Sequence, residues 1–247
     1  YVTASAGNHG MSVAAGARVF GANSVVHIAQ TVPEVFAERL AAKGATVVRA
    51  GADYAASMTL AQEAAAENGW TLLSDTSWPE YIDTPHRLME GYLQMASEAV
   101  AQMPEPPTHI FLQAGVGGLA GAVAAFARQA WGDAPQIIIV EPDAAPALMD
   151  SITAGKVVES SGPDSNMGRL DCKEPSLIAL TGLARDADWC ALISDAQADA
   201  LMPVLDAAGL ATTQSGGAGL VALDLANGQF GLDATSRVLC ILSEEPE

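Results

Sequence analysis

The chain has 247 residues, half of them hydrophobic, 16% charged, and a formal net charge of −18. Half a chain of apolar residues can offset the entropy of folding, which excludes a disordered acidic tail. The scarcity of Lys and Arg argues against nucleic acid and anionic membrane as partners.

The length suits one large domain or two small ones. Three cysteines, Cys172, Cys190 and Cys240, are too few and too scattered for a disulfide framework or a zinc site, so a reducing, cytoplasmic setting is expected. The charge-free stretch from Pro106 to Ala127 approaches the length of a membrane span. It opens on two prolines, contains Gln113 and is broken by four glycines, so it reads as strand, loop and helix. The chain starts at Tyr1 without Met and already inside a motif, so residues upstream are expected.

Short β-branched runs occur at 25–28, 46–48, 71–73, 109–112, 137–140 and 238–242. Helices are predicted near 11–20, 33–43, 54–68, 85–102, 118–131 and 195–208. The alternation predicts an α/β fold, doubly wound around mostly parallel sheets. The stretches 110–112, 137–140 and 238–242 are apolar throughout, as strands covered on both faces should be. A small subdomain over 1–84 and a large one over 85–247 are expected. Segment 156–176 reads as a long loop.

Two loops carry the chemistry. Gly115-Val116-Gly117-Gly118-Leu119 follows an apolar strand and opens an apolar helix. Its backbone N–H groups and the positive end of the helix suit a phosphate. The plainer reading is a tight strand–helix turn. The same residues fit a dinucleotide fingerprint, Gly115-x-Gly117-x-x-Ala120, with Glu141 placed to bind a ribose hydroxyl, which leaves an NAD-binding oxidoreductase as an alternative. The second loop, Thr3-Ala4-Ser5-Ala6-Gly7-Asn8-His9-Gly10, leads into a helix whose N–H groups could hold a carboxylate. Ser5 or Asn8 could equally be a helix cap.

Ser5-Ala6-Gly7-Asn8-His9-Gly10 resembles the Ser-x-Gly-Asn-His-Gly loop of fold type II enzymes, the pyridoxal-phosphate (PLP) enzymes of the tryptophan-synthase-β type. The resemblance implies that Asn8 contacts the cofactor's phenolic oxygen, and that Ser5, Ala6, Gly7 and His9 belong to the loop holding a substrate carboxylate. It implies phosphate on Gly115, Val116, Gly117, Gly118 and Leu119, Ser243 opposite the pyridine nitrogen, and cofactor bound between the two subdomains. Within that group the chain resembles the diaminopropionate ammonia-lyases through Asn68-Gly69-Trp70, Ser74-Asp75-Thr76-Ser77-Trp78-Pro79-Glu80-Tyr81, Met89-Glu90-Gly91-Tyr92 and Pro107-Thr108-His109. Leu112-Gln113-Ala114-Gly115-Val116-Gly117, Val140-Glu141-Pro142-Asp143 and Cys172-Lys173-Glu174-Pro175 extend the likeness. It implies elimination of ammonia from 2,3-diaminopropionate, with Asp75 at the substrate's amino group. Read on its own, Asp75 ends an apolar strand, where it could also cap an Asx turn.

Three departures qualify this. Ala6 stands where such lyases often carry an acid serving as base for a D-substrate, so the L-isomer is the expected substrate. Gln214 replaces a Glu near the cofactor, which keeps serine or threonine deamination open. Lys43, Lys156 and Lys173 all lack the surroundings of a Schiff-base lysine, which is therefore expected upstream of Tyr1, leaving residues 1–247 alone inactive. The remaining histidines have no metal-ligand spacing, and the acidic end 244–247 reads as a solvated tail. A homodimer acting on a small amino acid is expected.

Overall fold

The computed structural model describes residues 1–246, which form two compact units, Tyr1–Asp75 and Thr76 onward. The boundary expected at 84/85 falls in the first turn of a helix that begins at Asp83.

The first unit holds three parallel strands, β1 (Val2–Ala4), β2 (Val25–Ile28) and β3 (Thr46–Arg49), in the order β1-β2-β3. Helices α1 (Asn8–Val19), α2 (Glu34–Ala42) and α3 (Tyr54–Asn68) connect them and follow them. Alternate side chains leave the sheet on opposite faces. Val26 and Ile28 therefore pack with Ala37 and Leu40 of α2, while Val2 and Ala4 pack with Ala61 of α3. The run at 71–73 shortens to a single parallel bridge, Leu72 beside Val2, held by Val2 N to Thr71 O (2.9 Å) and Leu73 N to Val2 O (2.8 Å).

In the second unit β4 (His109–Gln113), β5 (Gln136–Pro142), β6 (Trp189–Ile193) and β7 (Val238–Cys240) form one parallel sheet in the order β6-β5-β4-β7. Around it lie α4 (Asp83–Gln102), α5 (Gly118–Trp131), α6 (Ala147–Ala154), α7 (Leu177–Asp186), α8 (Asp195–Ala207) and α9 (Gln214–Leu225). Ile110, Leu112, Ile137 and Ile139 face one core with α5 and α7. Phe111, Ile138 and Val140 face a second core with α8 and α9. Two covered faces explain why β4 and β5 are apolar without alternation. Each fully buried Ile or Phe there contributes about 1.5–3 kcal/mol of transfer free energy. The expectation of double burial fails for β7, an edge strand whose residues are only half-buried. Residues 156–176 form no regular element apart from turns, as the sequence suggests.

Candidate functional site

In the first unit, β1 ends at Ala4 and the chain turns through Ser5–Gly7 into α1. Ser5 Oγ accepts from Gly7 N at 3.3 Å. A Cβ on Gly10 would lie 2.1 Å from Ser5 O, so only glycine lets the first turn close on this loop. The first N–H of α1 bonded back into the helix is that of Met11, to Gly7 O at 3.1 Å, so those of Asn8, His9 and Gly10 precede the helical ladder. Such N–H groups form an anion-binding end. His9 Nε2 lies 2.8 Å from Leu73 O and 3.1 Å from Thr3 Oγ1. A carbonyl only accepts, so Nε2 carries the proton and ties this loop to the strand entering Asp75. Half-buried Asp75 stands just past the Leu72 bridge, at the carboxyl edge where β1 also delivers Ser5. The methyl of Ala6 packs against the Val26, Ile28, Ala37 and Leu40 cluster.

In the second unit β4 delivers Gly115–Leu119 at the same edge of its sheet. Gly117 is the left-handed N-cap of α5 (φ 95°), and the first N–H returning into the helix is that of Gly121, to Gly117 O at 2.8 Å. Those of Gly118, Leu119 and Ala120 therefore form the helix's donor end. A Cβ on Gly115 would meet Arg169 O at 2.8 Å and Cys172 Sγ at 3.0 Å, so the loop is backed tightly by segment 169–172. This is a close-packed turn and a donor cradle at once, and its chemistry fits a phosphate.

Ser243 follows β7 and sits beside the end of β4. Its hydroxyl lies 3.1 Å from Gln113 Nε2, which also donates to Ile241 O (2.8 Å) and Gly216 O (3.1 Å). The adjoining Glu244 is not a solvated tail residue. Its side chain is 6% exposed, pairs with Arg169 Nε at 3.3 Å and accepts from the Thr213 hydroxyl. Glu247 lies outside the described residues. Sequence reasoning missed Gln113, Arg169, Thr213 and Glu244, although a lone amide closing an apolar strand was a usable signal for Gln113.

Gln214 donates to Asp199 Oδ1 on α8 at 2.9 Å, so a Glu there would face another carboxylate. The structure corrects the reading of Glu141 as a ribose ligand. Glu141 is fully buried, and its two oxygens accept from Leu148 N (2.7 Å) and Met149 N (2.9 Å), capping α6. Burial lifts its pKa to about 7 despite those bonds. Burial also pushes Cys190 up to about 11 and Cys240 to about 12, so neither is a thiolate nucleophile near neutral pH. Lys43 and Lys156 are exposed, and Lys173 is engaged in the 156–176 loop. Among the described residues no His, Cys, Asp and Glu cluster could hold a metal ion, and no helix is long and apolar enough to cross a membrane.

The family model described as "Pyridoxal-phosphate dependent enzyme" matches residues 1–244. The chain is 35% identical over 207 residues to diaminopropionate ammonia-lyase of Salmonella typhimurium, covering 79% of this chain and 50% of that protein. It is 32% identical over 200 residues to human L-serine dehydratase/L-threonine deaminase, covering 80% of this chain and 58% of that protein. The crystal structure of Escherichia coli diaminopropionate ammonia-lyase in complex with D-serine superposes with a TM-score of 0.90 at 29% identity, covering 99% of this chain and 66% of that one. The chain thus spans about half the length of the curated relatives it matches.

Proposed function

This chain belongs to the family of pyridoxal-phosphate dependent enzymes, and from that premise we propose that the full-length protein eliminates ammonia from 2,3-diaminopropionate, the L-isomer preferred, to give pyruvate and ammonia. The observation that carries the cofactor assignment is the donor end of α5, framed by Gly115–Leu119 at the carboxyl edge of β4. When bound, pyridoxal phosphate supplies an electron-withdrawing ring that acidifies the α-C–H of an amino acid joined to it.

The chain's own residues supply placement and charge. The N–H groups at Gly115–Leu119 hold the phosphate, as helix N-termini do. Asn8 addresses the phenolic oxygen. Ser243, whose hydroxyl lies 3.1 Å from Gln113 Nε2, is the hydroxyl partner of the pyridine nitrogen. A neutral hydroxyl leaves that nitrogen largely unprotonated, which favours elimination over transamination. The N–H groups at the start of α1, with Ser5, Ala6, Gly7 and His9 around them, hold the substrate carboxylate. Asp75 orients the β-amino group that departs. We assign the base that removes the α-proton to a lysine outside residues 1–247, because Lys43 and Lys156 are exposed and the Lys173 ammonium is taken up by Ala144 O, Pro163 O and Asp171.

The likeness to the human serine/threonine enzyme favours a second reading, deamination of L-serine or L-threonine on the same scaffold. Release of pyruvate or 2-oxobutyrate by the full-length protein separates the two. Faster turnover of serine or threonine than of diaminopropionate overturns the first. Tight NADH binding with no uptake of pyridoxal phosphate overturns both.

A further inference from the structure

We infer that Lys173 is a built-in cation that fixes the wall behind Gly115, which makes it a positioning residue for the loop at the start of α5. Its Nζ donates to Ala144 O at 3.0 Å, Pro163 O at 2.8 Å and Asp171 Oδ1 at 2.5 Å. An ammonium has three N–H bonds and nothing with which to accept, so these three oxygens use its full donor capacity. They come from the turn after β5, the middle of the 156–176 loop, and a residue two places from Lys173 itself. The side chain is 26% exposed.

The tether sits where the backbone offers little of its own. Residues 156–176 make no helical or strand ladder, so their shape rests on individual ties. Lys173 makes several of these, beside those of Ser165 and Asn166 on Asp195 and of Arg169 N on Ser215 Oγ. The Lys173 carbonyl accepts from Ser160 N at 2.8 Å, and its partner Asp171 accepts from Ser165 N at 3.2 Å. The segment next to Lys173 is the one that backs the glycine loop. Arg169 O, Cys172 Sγ and Leu170 Cα lie 2.8, 3.0 and 3.3 Å from where a Gly115 Cβ would stand. Residues 169–172 back Gly115, and Lys173 follows them directly in the chain, with Asp171 among them bound to its ammonium. Without a cation, two carbonyl oxygens and a carboxylate oxygen face one another across the vacated space, and their repulsion opens the loop. The wall behind Gly115 then relaxes, and the N–H groups that follow lose their fixed aim.

The inference rests on reading Gly115–Leu119 as the phosphate loop, and the test separates the two. Full-length protein is compared with its Lys173→Ala and Lys173→Met variants. Cofactor affinity is read by absorbance titration with pyridoxal phosphate, and hydrogen exchange of residues 160–176 is read without cofactor. Both variants are expected to lose affinity by about tenfold or more and to lose protection in the loop. Ammonium chloride restores both in Lys173→Ala, which leaves room for the ion. Tetramethylammonium chloride at equal ionic strength does not restore either. Lys173→Met keeps the stem in that room and is not rescued. Losses in Lys173→Ala that ammonium does not repair mean that the stem acts by packing, and overturn the cation role. Wild-type affinity and protection in both variants overturn it as well. If wild-type protein takes up no pyridoxal phosphate, yet ammonium restores loop protection in Lys173→Ala, the functional reading fails and the tether stands. Should both Lys173 variants misfold, Asp171→Asn, which keeps volume and removes one charged acceptor, must lower protection in the same loop, and wild-type protection there overturns the proposal.

Discussion

Gln113 Nε2 donates to the Ser243 hydroxyl at 3.1 Å, and the same nitrogen serves Ile241 O and Gly216 O. Both carbonyls can only accept, so the amide has one admissible orientation. That orientation leaves Gln113 Oε1 buried without a partner, in a residue only 4% exposed. A buried orphan oxygen costs about 1–3 kcal/mol, and here that cost accompanies a fixed Ser243.

Gln113→Met should therefore destabilise the full-length protein by about 1–3 kcal/mol, because three acceptors lose a donor while one orphan oxygen disappears. Gln113→Glu should be worse, since it turns a carboxylate toward two carbonyls, and its deficit should grow as pH rises and the group ionises. Urea unfolding at two pH values measures both. The bound cofactor's absorption band should also shift in Gln113→Met if Ser243 loses its orientation. An unchanged band with lowered stability would confine Gln113 to packing.

Glu141 gives a pH dependence of definite sign. Its folded pKa of about 7 lies above the ordinary value of 4.5 because burial disfavours the charge. Between those values the folded state binds more protons than the unfolded one, so stability falls as pH rises. At about 1.4 kcal/mol per unit, the wild-type protein should lose on the order of 3 kcal/mol relative to Glu141→Gln between pH 4.5 and 7. The difference is then flat above pH 8. Paired denaturant titrations across this range check it, and a constant difference would mean that the carboxylate is ionised throughout.

What was legible in the sequence tracks how local its cause is. β4 and β5 read as strands because Ile110 to Leu112 and Ile137 to Val140 are buried on both faces. β6 was missed because it is an edge strand, with Trp189 half exposed and Cys190 and Ala191 between. α9 was missed because Gln214-Ser215-Gly216-Gly217 is a poor helix former. It is held instead by the Thr213 cap on Gly216 N and by packing of Ala218, Val221 and Ala222 beneath the sheet. Both glycine loops were legible because closely spaced glycines, Gly7 and Gly10 in one and Gly115, Gly117 and Gly118 in the other, mark a tight passage from a strand's carboxyl end into a helix. The partners of Glu244 and Lys173 were not, since Arg169 and Ala144 are brought to them only by the tertiary fold.

Asp75 is the residue on which substrate choice should turn. Its strand is tied to the Asn8 loop by His9 Nε2 on Leu73 O. Asp75→Asn keeps the shape and removes the charge that would orient a β-ammonium. Diaminopropionate turnover by the full-length protein should fall more than tenfold, beyond about 1.4 kcal/mol of transition-state stabilisation. Serine, whose β-substituent is a neutral hydroxyl, should suffer less. Equal losses on both substrates would assign Asp75 to structure rather than to the β-amino group. His9→Ala, which removes the ties to Leu73 O and Thr3 Oγ1 beside the carboxylate loop, should raise KM more than it lowers kcat.

Isomer choice should turn on Ala6. A D-substrate presents its α-proton on the face opposite an L-substrate's, so its removal needs a second base. The methyl of Ala6 cannot accept a proton, and it packs on the Val26, Ile28, Ala37 and Leu40 cluster. The full-length protein should therefore strongly prefer L-diaminopropionate. Ala6→Asp should raise the ratio of D- to L-turnover, measured as pyruvate release from each isomer. It should also cost stability, on the order of 1–3 kcal/mol, because the new carboxyl borders an apolar cluster. That border raises the carboxyl pKa and moves it toward the range of a working base. Equal turnover of the two isomers by unmodified protein would place the second base elsewhere. A stability loss without any gain in D-turnover would show that position 6 turns its side chain toward the Leu40 cluster and away from the reacting carbon.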